Sequence, residues 1–286
     1  MASDLRTRTG LAYDDLGPTS GSPAEPPTRA VVLVHAGICD RRMWDSQLES
    51  LSARRRLVRL DLRGFGTSDR RAPGEFAHYL EVAGLLDELG LRSAHLVGGS
   101  MAAGVVTEVA LARPELAGSL LLVAPSGALR TELTPDLEAF WEAEAEALQE
   151  ADLDRAVEAN LETWLDGPGQ PSDRIAGPVR AFVGQMQLKA FENRDGWEDE
   201  EIEGGSLLPP IRGRAAEVRL PTLILSGDLD VAAVGQTAAR LAEEVPGASL
   251  VRWPDVAHLP SLERPDDFNR LAADWFDRVE GGSGPA

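Results

Sequence analysis

Apolar positions along the chain fall into two rhythms. Compact runs recur at Ala30 to Val34, Arg56 to Leu62, Ala94 to Gly98, Ser119 to Val123, Thr222 to Ser226 and Ala248 to Trp253. Apolar, β-branched runs of about four to eight residues predict buried strands. Between them, Tyr79 to Leu89 places Leu80, Ala83, Leu86 and Leu89 roughly one helical turn apart, and Met101 to Ala112 reads as a second helix. Strand alternating with helix predicts an α/β fold: a mostly parallel, twisted sheet with helices on both faces, joined by right-handed crossovers.

The alternation stops between about Pro125 and Val218, where no convincing strand run occurs. Thr134 to Asp166 is instead a long acidic amphipathic stretch, with Leu137, Phe140, Trp141, Leu148, Leu153, Val157, Leu161 and Trp164 near helical spacing. The expected organisation is a core of residues 1–125 and 214–286 interrupted by a helical cap, 126–213. Gly17 to Pro27 and Gly281 to Ala286 read as loops or frayed ends, and no internal repeat is found.

Composition narrows the function. At 286 residues, 43% hydrophobic and 26% charged, the chain can build a sizeable core. Its 47 acidic residues against 28 basic ones give a formal charge of -19, a field that repels nucleic acid and anionic membranes. A small molecule is the expected partner, and a homodimer stays open. Cys39 is the single cysteine, so neither a disulfide framework nor a multi-cysteine metal site is expected. Met1 to Gly10 has charges and no apolar core, and no run reaches about 18 apolar residues. Together these point to the cytoplasm.

Candidate chemistry centres on Gly98-Gly99-Ser100-Met101-Ala102, which follows a predicted strand and opens a predicted helix. A serine on so sharp a turn needs small neighbours, and Gly98 and Ala102 supply them. A serine at a helix start is also a common N-cap, so the fragment alone does not assign a nucleophile. The hydroxyl becomes one only when an imidazole takes its proton and a carboxylate orients that imidazole. His258 follows the strand ending near Trp253, and Asp230, with Asp228 close by, follows Leu223-Ile-Leu-Ser-Gly227. In a parallel sheet all of these positions gather at the carboxyl ends of strands.

Several motifs carry a resemblance to the α/β-hydrolase fold superfamily. They are Leu33-Val-His-Ala-Gly37 with Trp44 downstream, Asp61-Leu-Arg-Gly-Phe-Gly-Thr-Ser68, Leu96-Val-Gly-Gly-Ser-Met-Ala-Ala103, Pro221-Thr-Leu-Ile-Leu-Ser-Gly-Asp-Leu-Asp230, and His258 with Glu263, Pro265 and Phe268. The resemblance implies a Ser100, His258, Asp230 triad, selecting Asp230 over Asp228. It also implies an oxyanion hole from the backbone N–H of Met101 and of Gly37, with Ile38 as the alternative. Two departures are Ala36 for the usual glycine, and Ala102 and Ala103 for a Gly-Gly pair. A serine nucleophile excludes the aspartate-dependent dehalogenase and epoxide-hydrolase branches. His35 to Asp45 looks like the matching loop of enol-lactone and small-ester hydrolases.

The expected activity is therefore cofactor-free hydrolysis of a small ester or lactone through an acyl-enzyme. Trp141, Trp164, Phe182 and Met186 are candidates to line the pocket, although packing between cap helices is the simpler role for each. Two alternatives remain: a carbon-carbon bond hydrolase or lyase using Arg180, Lys189 or Arg194 over the substrate, and a ligand-binding receptor that keeps the triad. His35, His78 and His95 show no metal-ligand spacing, so no metal is expected. Gly64-Phe-Gly66 lacks the third glycine of a dinucleotide fingerprint.

Overall fold

The computed structural model describes residues 5–18, 28–71, 75–195, 197 and 204–282. Part of the Gly17 to Pro27 loop and residues 283–286 of the tail lie outside them.

Eight strands form one sheet in the order β1-β2-β4-β3-β5-β6-β7-β8. They are β1 (Leu5–Arg6), β2 (Ala12–Leu16), β3 (Val31–Val34), β4 (Leu57–Leu60), β5 (Ala94–Gly99), β6 (Ala117–Val123), β7 (Thr222–Gly227) and β8 (Ser249–Trp253). From β4 to β8 every pairing is parallel; β1 and β2 add an antiparallel edge. Around them lie α1 (Leu48–Ser52), α2 (His78–Glu88), α3 (Met101–Ala112), α4 (Pro135–Gln149), α5 (Leu153–Asn160), α6 (Gly177–Arg194), α7 (Ala232–Glu244), α8 (Pro260–Glu263) and α9 (Pro265–Glu280).

Burial on both sides explains the unbroken apolar runs. Val32, Val34, Leu60 and Leu96 enter one core with α2 and α3, while Val31, Leu33, Leu57 and Val97 enter another with Trp44 and α9. In α9, Phe268, Ala272, Trp275 and Phe276 form the buried stripe, at helical spacing.

β2, second from the edge, has no apolar run to predict it, because Tyr13-Asp14-Asp15 is polar. Its carboxylates are matched instead by arginines: Asp14 accepts from Arg59 at 2.7 Å and Arg41 at 3.2 Å, and Asp15 from Arg56 at 2.7 Å. Between β6 and β7 the described residues hold helices and turns, with only a single bridge from Gly204 to Phe76. The long acidic stretch is not one helix. It breaks after Gln149, where Ala151 adopts a positive φ of 55° and Asp152 caps α5 by accepting the Arg155 amide. Residues Leu161–Asp166 then form a π-helical turn.

β3 is flanked by β4 on one side and β5 on the other, so the strand order reverses there. The carboxyl ends of strands beside such a reversal form a crevice. The segments leaving β3 and β5, His35 to Ile38 and Ser100, both border it.

Candidate active site

Ser100 sits between β5 and α3 with φ 55° and ψ -116°, a strained conformation for a residue with a side chain. The turn is held by Ser100 N–H donating to the Val123 carbonyl at 2.8 Å and by the Ser100 carbonyl accepting from Ala103. A Cβ on Gly98 would lie 2.4 Å from the Ala102 carbonyl oxygen, so glycine is required there.

His258 follows β8, and its Nε2 lies 2.6 Å from Ser100 Oγ. Its Nδ1 lies 2.7 Å from Asp230 Oδ2. A carboxylate only accepts, so Nδ1 carries the proton and Nε2 is free to accept from the serine hydroxyl. Asp230 is itself oriented by the Val231 N–H at 2.7 Å. Asp228 points away to Arg252, and Asp255 lies in a turn. The imidazole packs on the Trp164 indole with ring centroids 4.6 Å apart.

Beside Ser100 and His258 opens a cavity of about 210 Å³. Ala36, Gly37, Ile38 and Met101 form its floor. The Ala36 N–H is already engaged with the Met43 sulfur at 3.2 Å, while the amides of Gly37, Ile38 and Met101 meet no acceptor among the described residues. Gly37 and Met101 are neighbours, a Cβ on the former lying 3.9 Å from that of the latter. Asp61 braces the floor by accepting from the Arg41 N–H at 2.8 Å. A larger hollow of about 350 Å³ behind Asp230 touches neither Ser100 nor His258.

Of the four expected pocket residues, only Trp164 lines this cavity. Trp141 lies at the surface beneath the Arg130 guanidinium, 4.6 Å from its carbon. Phe182 sits under Arg42, and Met186 is buried in the apolar core. Helix geometry explains the correction. On α4, Phe140 and Glu144 face the cavity one turn apart, and Trp141 is rotated about 100° from Phe140. On α6 the cavity face carries Gln187 and Arg194, two turns apart.

The wall is thus more polar than expected: Arg130, Glu144, Asn160, Gln187 and Arg194 all reach it. Asn160 donates to Glu144 at 2.6 Å, and Gln187 Oε1 is buried with no partner among the described residues. Of the candidate cationic groups, Arg180 pairs with Glu158 and Asp166, and Lys189 with Glu192. Arg194 donates to the Ala190 carbonyl and lies over Phe65, without a carboxylate bonded to it among the described residues. Burial lowers its pKa, and Glu144 draws it back up. The signal for this wall was available: Val183, Gln187, Ala190 and Arg194 share one helical stripe, in which two members are polar.

The remaining histidines are structural. His35 Nε2 accepts the Leu62 N–H at 3.0 Å, leaving Nδ1 to donate to the Ala36 carbonyl; burial lowers its pKa. Burial likewise holds His78 and His95 to about 4. Cys39 is fully buried, which pushes its thiol pKa well up and keeps it protonated. Among the described residues no cluster could hold a metal ion, and no helix is long and apolar enough to cross a membrane.

Residues 31–271 match the profile of the alpha/beta hydrolase family. A 2-hydroxy-6-oxononadienedioate/2-hydroxy-6-oxononatrienedioate hydrolase of Pseudomonas putida is 26% identical over 280 residues, covering 93% of this chain and 91% of that protein. A thermophilic esterase of Thermogutta terrifontis, solved with malate bound, superposes with a TM-score of 0.72 at 25% identity, covering 94% and 93% of the two chains. The enol-lactonase of Burkholderia xenovorans LB400 shares the fold, with a TM-score of 0.75 at 23% identity over 96% and 100%.

Proposed function

The chain belongs to the alpha/beta hydrolase family, and on that premise we propose that it is a serine hydrolase acting on a small ester or lactone through an acyl-enzyme on Ser100. The observation that carries this reading is the unbroken relay from Asp230 Oδ2 through His258 to Ser100 Oγ, with links of 2.7 and 2.6 Å, at the edge of a cavity. As Ser100 Oγ attacks the carbonyl carbon, His258 Nε2 takes its proton and Asp230 stabilises the imidazolium. The oxyanion is received by the Met101 N–H and by that of Gly37 or Ile38. His258 returns the proton to the leaving oxygen, then activates a water that releases the acid and regenerates Ser100.

The test is labelling by a fluorophosphonate, mapped by mass spectrometry, together with rapid kinetics on p-nitrophenyl acetate. Modification at Ser100 and a burst of nitrophenol are expected. A protein that gives neither, or is labelled elsewhere, overturns the reading.

A second reading is carbon-carbon bond hydrolysis, favoured by Arg194 on the cavity wall. A guanidinium there, with no carboxylate bonded to it among the described residues, suits a substrate bearing a carboxylate. The Pseudomonas putida relative is named for a dioate substrate. Turnover of a carboxylated 1,5-diketone at a higher kcat/KM than any ester would favour this reading, and retention of that turnover by Ser100→Ala would assign the chemistry to His258 alone.

A further inference from the structure

We propose that Arg174 and Glu263 form a positioning pair that sets the His258 ring between Ser100 and Trp164, an inference that rests on the serine-hydrolase reading. Glu263 ends α8 and accepts from the amides on either side of the histidine, Ala257 at 2.9 Å and Leu259 at 3.0 Å. Arg174 comes from a distant part of the chain, in a short 3-10 turn between β6 and β7, Ser172–Arg174. Its Nη1 donates to Glu263 Oε2 at 2.7 Å and to the Asp255 carbonyl at 3.2 Å. Its Nε donates to the Asp166 carbonyl at 2.7 Å, and its Nη2 to the Leu165 carbonyl.

Leu165 and Asp166 directly follow Trp164, whose indole lies against the imidazole. One guanidinium therefore grips the backbone carrying the indole and, through Glu263, the backbone carrying the imidazole. The next residue, Gly167, seals the same junction: a Cβ there would lie 2.5 Å from the carbonyl of Leu229, beside Asp230. The pair is shielded, with side-chain exposures of 15% for Arg174 and 2% for Glu263, so removing either leaves a poorly solvated opposite charge. Neither residue touches the cavity, and both act through the placement of His258. A misplacement of about 1 Å in such a group can cost about 100-fold in rate.

The test compares Arg174→Ala and Glu263→Gln with Arg155→Ala, which removes an arginine of α5 that binds the Glu146 and Glu150 side chains at the surface and neither backbone flanking His258. Two readouts are followed: kcat and KM for p-nitrophenyl acetate, and the downfield proton resonance of His258 Nδ1–H, which senses the Asp230 contact without any turnover. In Arg174→Ala, kcat is expected to fall about tenfold or more with KM changed by less than about threefold, and the resonance to broaden or move. Glu263→Gln, close in shape, gives a smaller loss in the same direction and serves if Arg174→Ala does not fold. Arg155→Ala stays near wild type in both readouts. Unchanged kcat and resonance in the folded variants, or equal losses in Arg155→Ala, overturn the proposal. Failure of the serine-hydrolase reading looks different: wild type then lacks ester turnover and Ser100 labelling, while the resonance still reports on the pair.

Discussion

Asp230 Oδ2 meets His258 Nδ1 at 2.7 Å, although 28 residues and the whole of α7 and β8 separate them in the chain. The carboxylate two positions earlier, Asp228, reaches Arg252 at the surface instead. Substituting Asp230→Asn removes the acceptor that fixes the imidazole tautomer, and kcat for ester hydrolysis is expected to fall about 10⁴-fold. Asp228→Asn is expected to stay within about twofold, since an exposed pair contributes little. Steady-state kinetics on one ester compares them, and equal losses would move the catalytic acid.

The contact works because the end of β7, three residues before Asp230, passes unusually close to the loop bearing His258. A Cβ on Gly227 would lie 2.1 Å from the Val256 carbonyl and 2.2 Å from that of Ala257. Gly227→Ala and Gly98→Ala are each expected to cost about 3 kcal/mol or more and to lower activity beyond the loss of folded protein. Gly84→Ala is the counter-case. It lies inside α2 with nothing within 4 Å of the added methyl, so about 0.5 to 1 kcal/mol of stabilisation is expected. Urea denaturation of the three variants checks both directions.

The parts of the fold that could be read from the chain are those in which local pattern and burial agree. β3 through β7 are buried on both faces and β8, at the edge of the sheet, is half-buried, and their apolar runs announce them; α3 begins at Met101 as its sequence suggests. The elbow was legible for a steric reason, since only small residues tolerate the approach of Gly98 to Ala102. β2 was not, because Asp14 and Asp15 owe their place to arginines on β4, in the turn after β3 and just ahead of β4, contacts no local window contains. The cavity wall was missed in the same way. Trp141 and Met186 are apolar and sit in the right segment, but the helix rotations that turn Glu144, Gln187 and Arg194 inward are set by how α4, α5 and α6 pack together.

Arg194 separates charge recognition from folding. Arg194→Met keeps a long apolar stem over Phe65 and removes a partly buried charge that has no carboxylate bonded to it among the described residues, so the melting temperature is expected to stay level or rise. A carboxylate-bearing ester is expected to lose about 10- to 100-fold in kcat/KM, the size of a charged hydrogen bond, while a neutral ester of similar size changes little. Parallel loss on both esters would mean that Arg194 shapes the cavity and does not read charge.

Acid stability should be governed in part by histidines outside the site. Burial lowers the pKa of His78 and His95 to about 4, against an unfolded value near 6.5. Each is neutral in the folded protein and protonated in the unfolded chain between those values, so unfolding takes up one proton per histidine there. Their contribution is full above about pH 6.5 and is lost as pH falls towards 4, at a rate of about 1 kcal/mol per pH unit each. Burial acts oppositely on the carboxyls of Glu81, Glu108 and Glu263, raising their pKa values, so the total slope mixes both groups. A variant isolates one histidine: His78 Nδ1 has no partner among the described residues, and its ring packs edge-on to Phe76, so His78→Leu sacrifices little bonding. Urea unfolding at pH 5 and pH 6 should find the variant losing about 1 kcal/mol less than wild type over that interval. Identical losses in the two proteins would mean that His78 takes up no proton on unfolding, and that its burial does not hold it neutral.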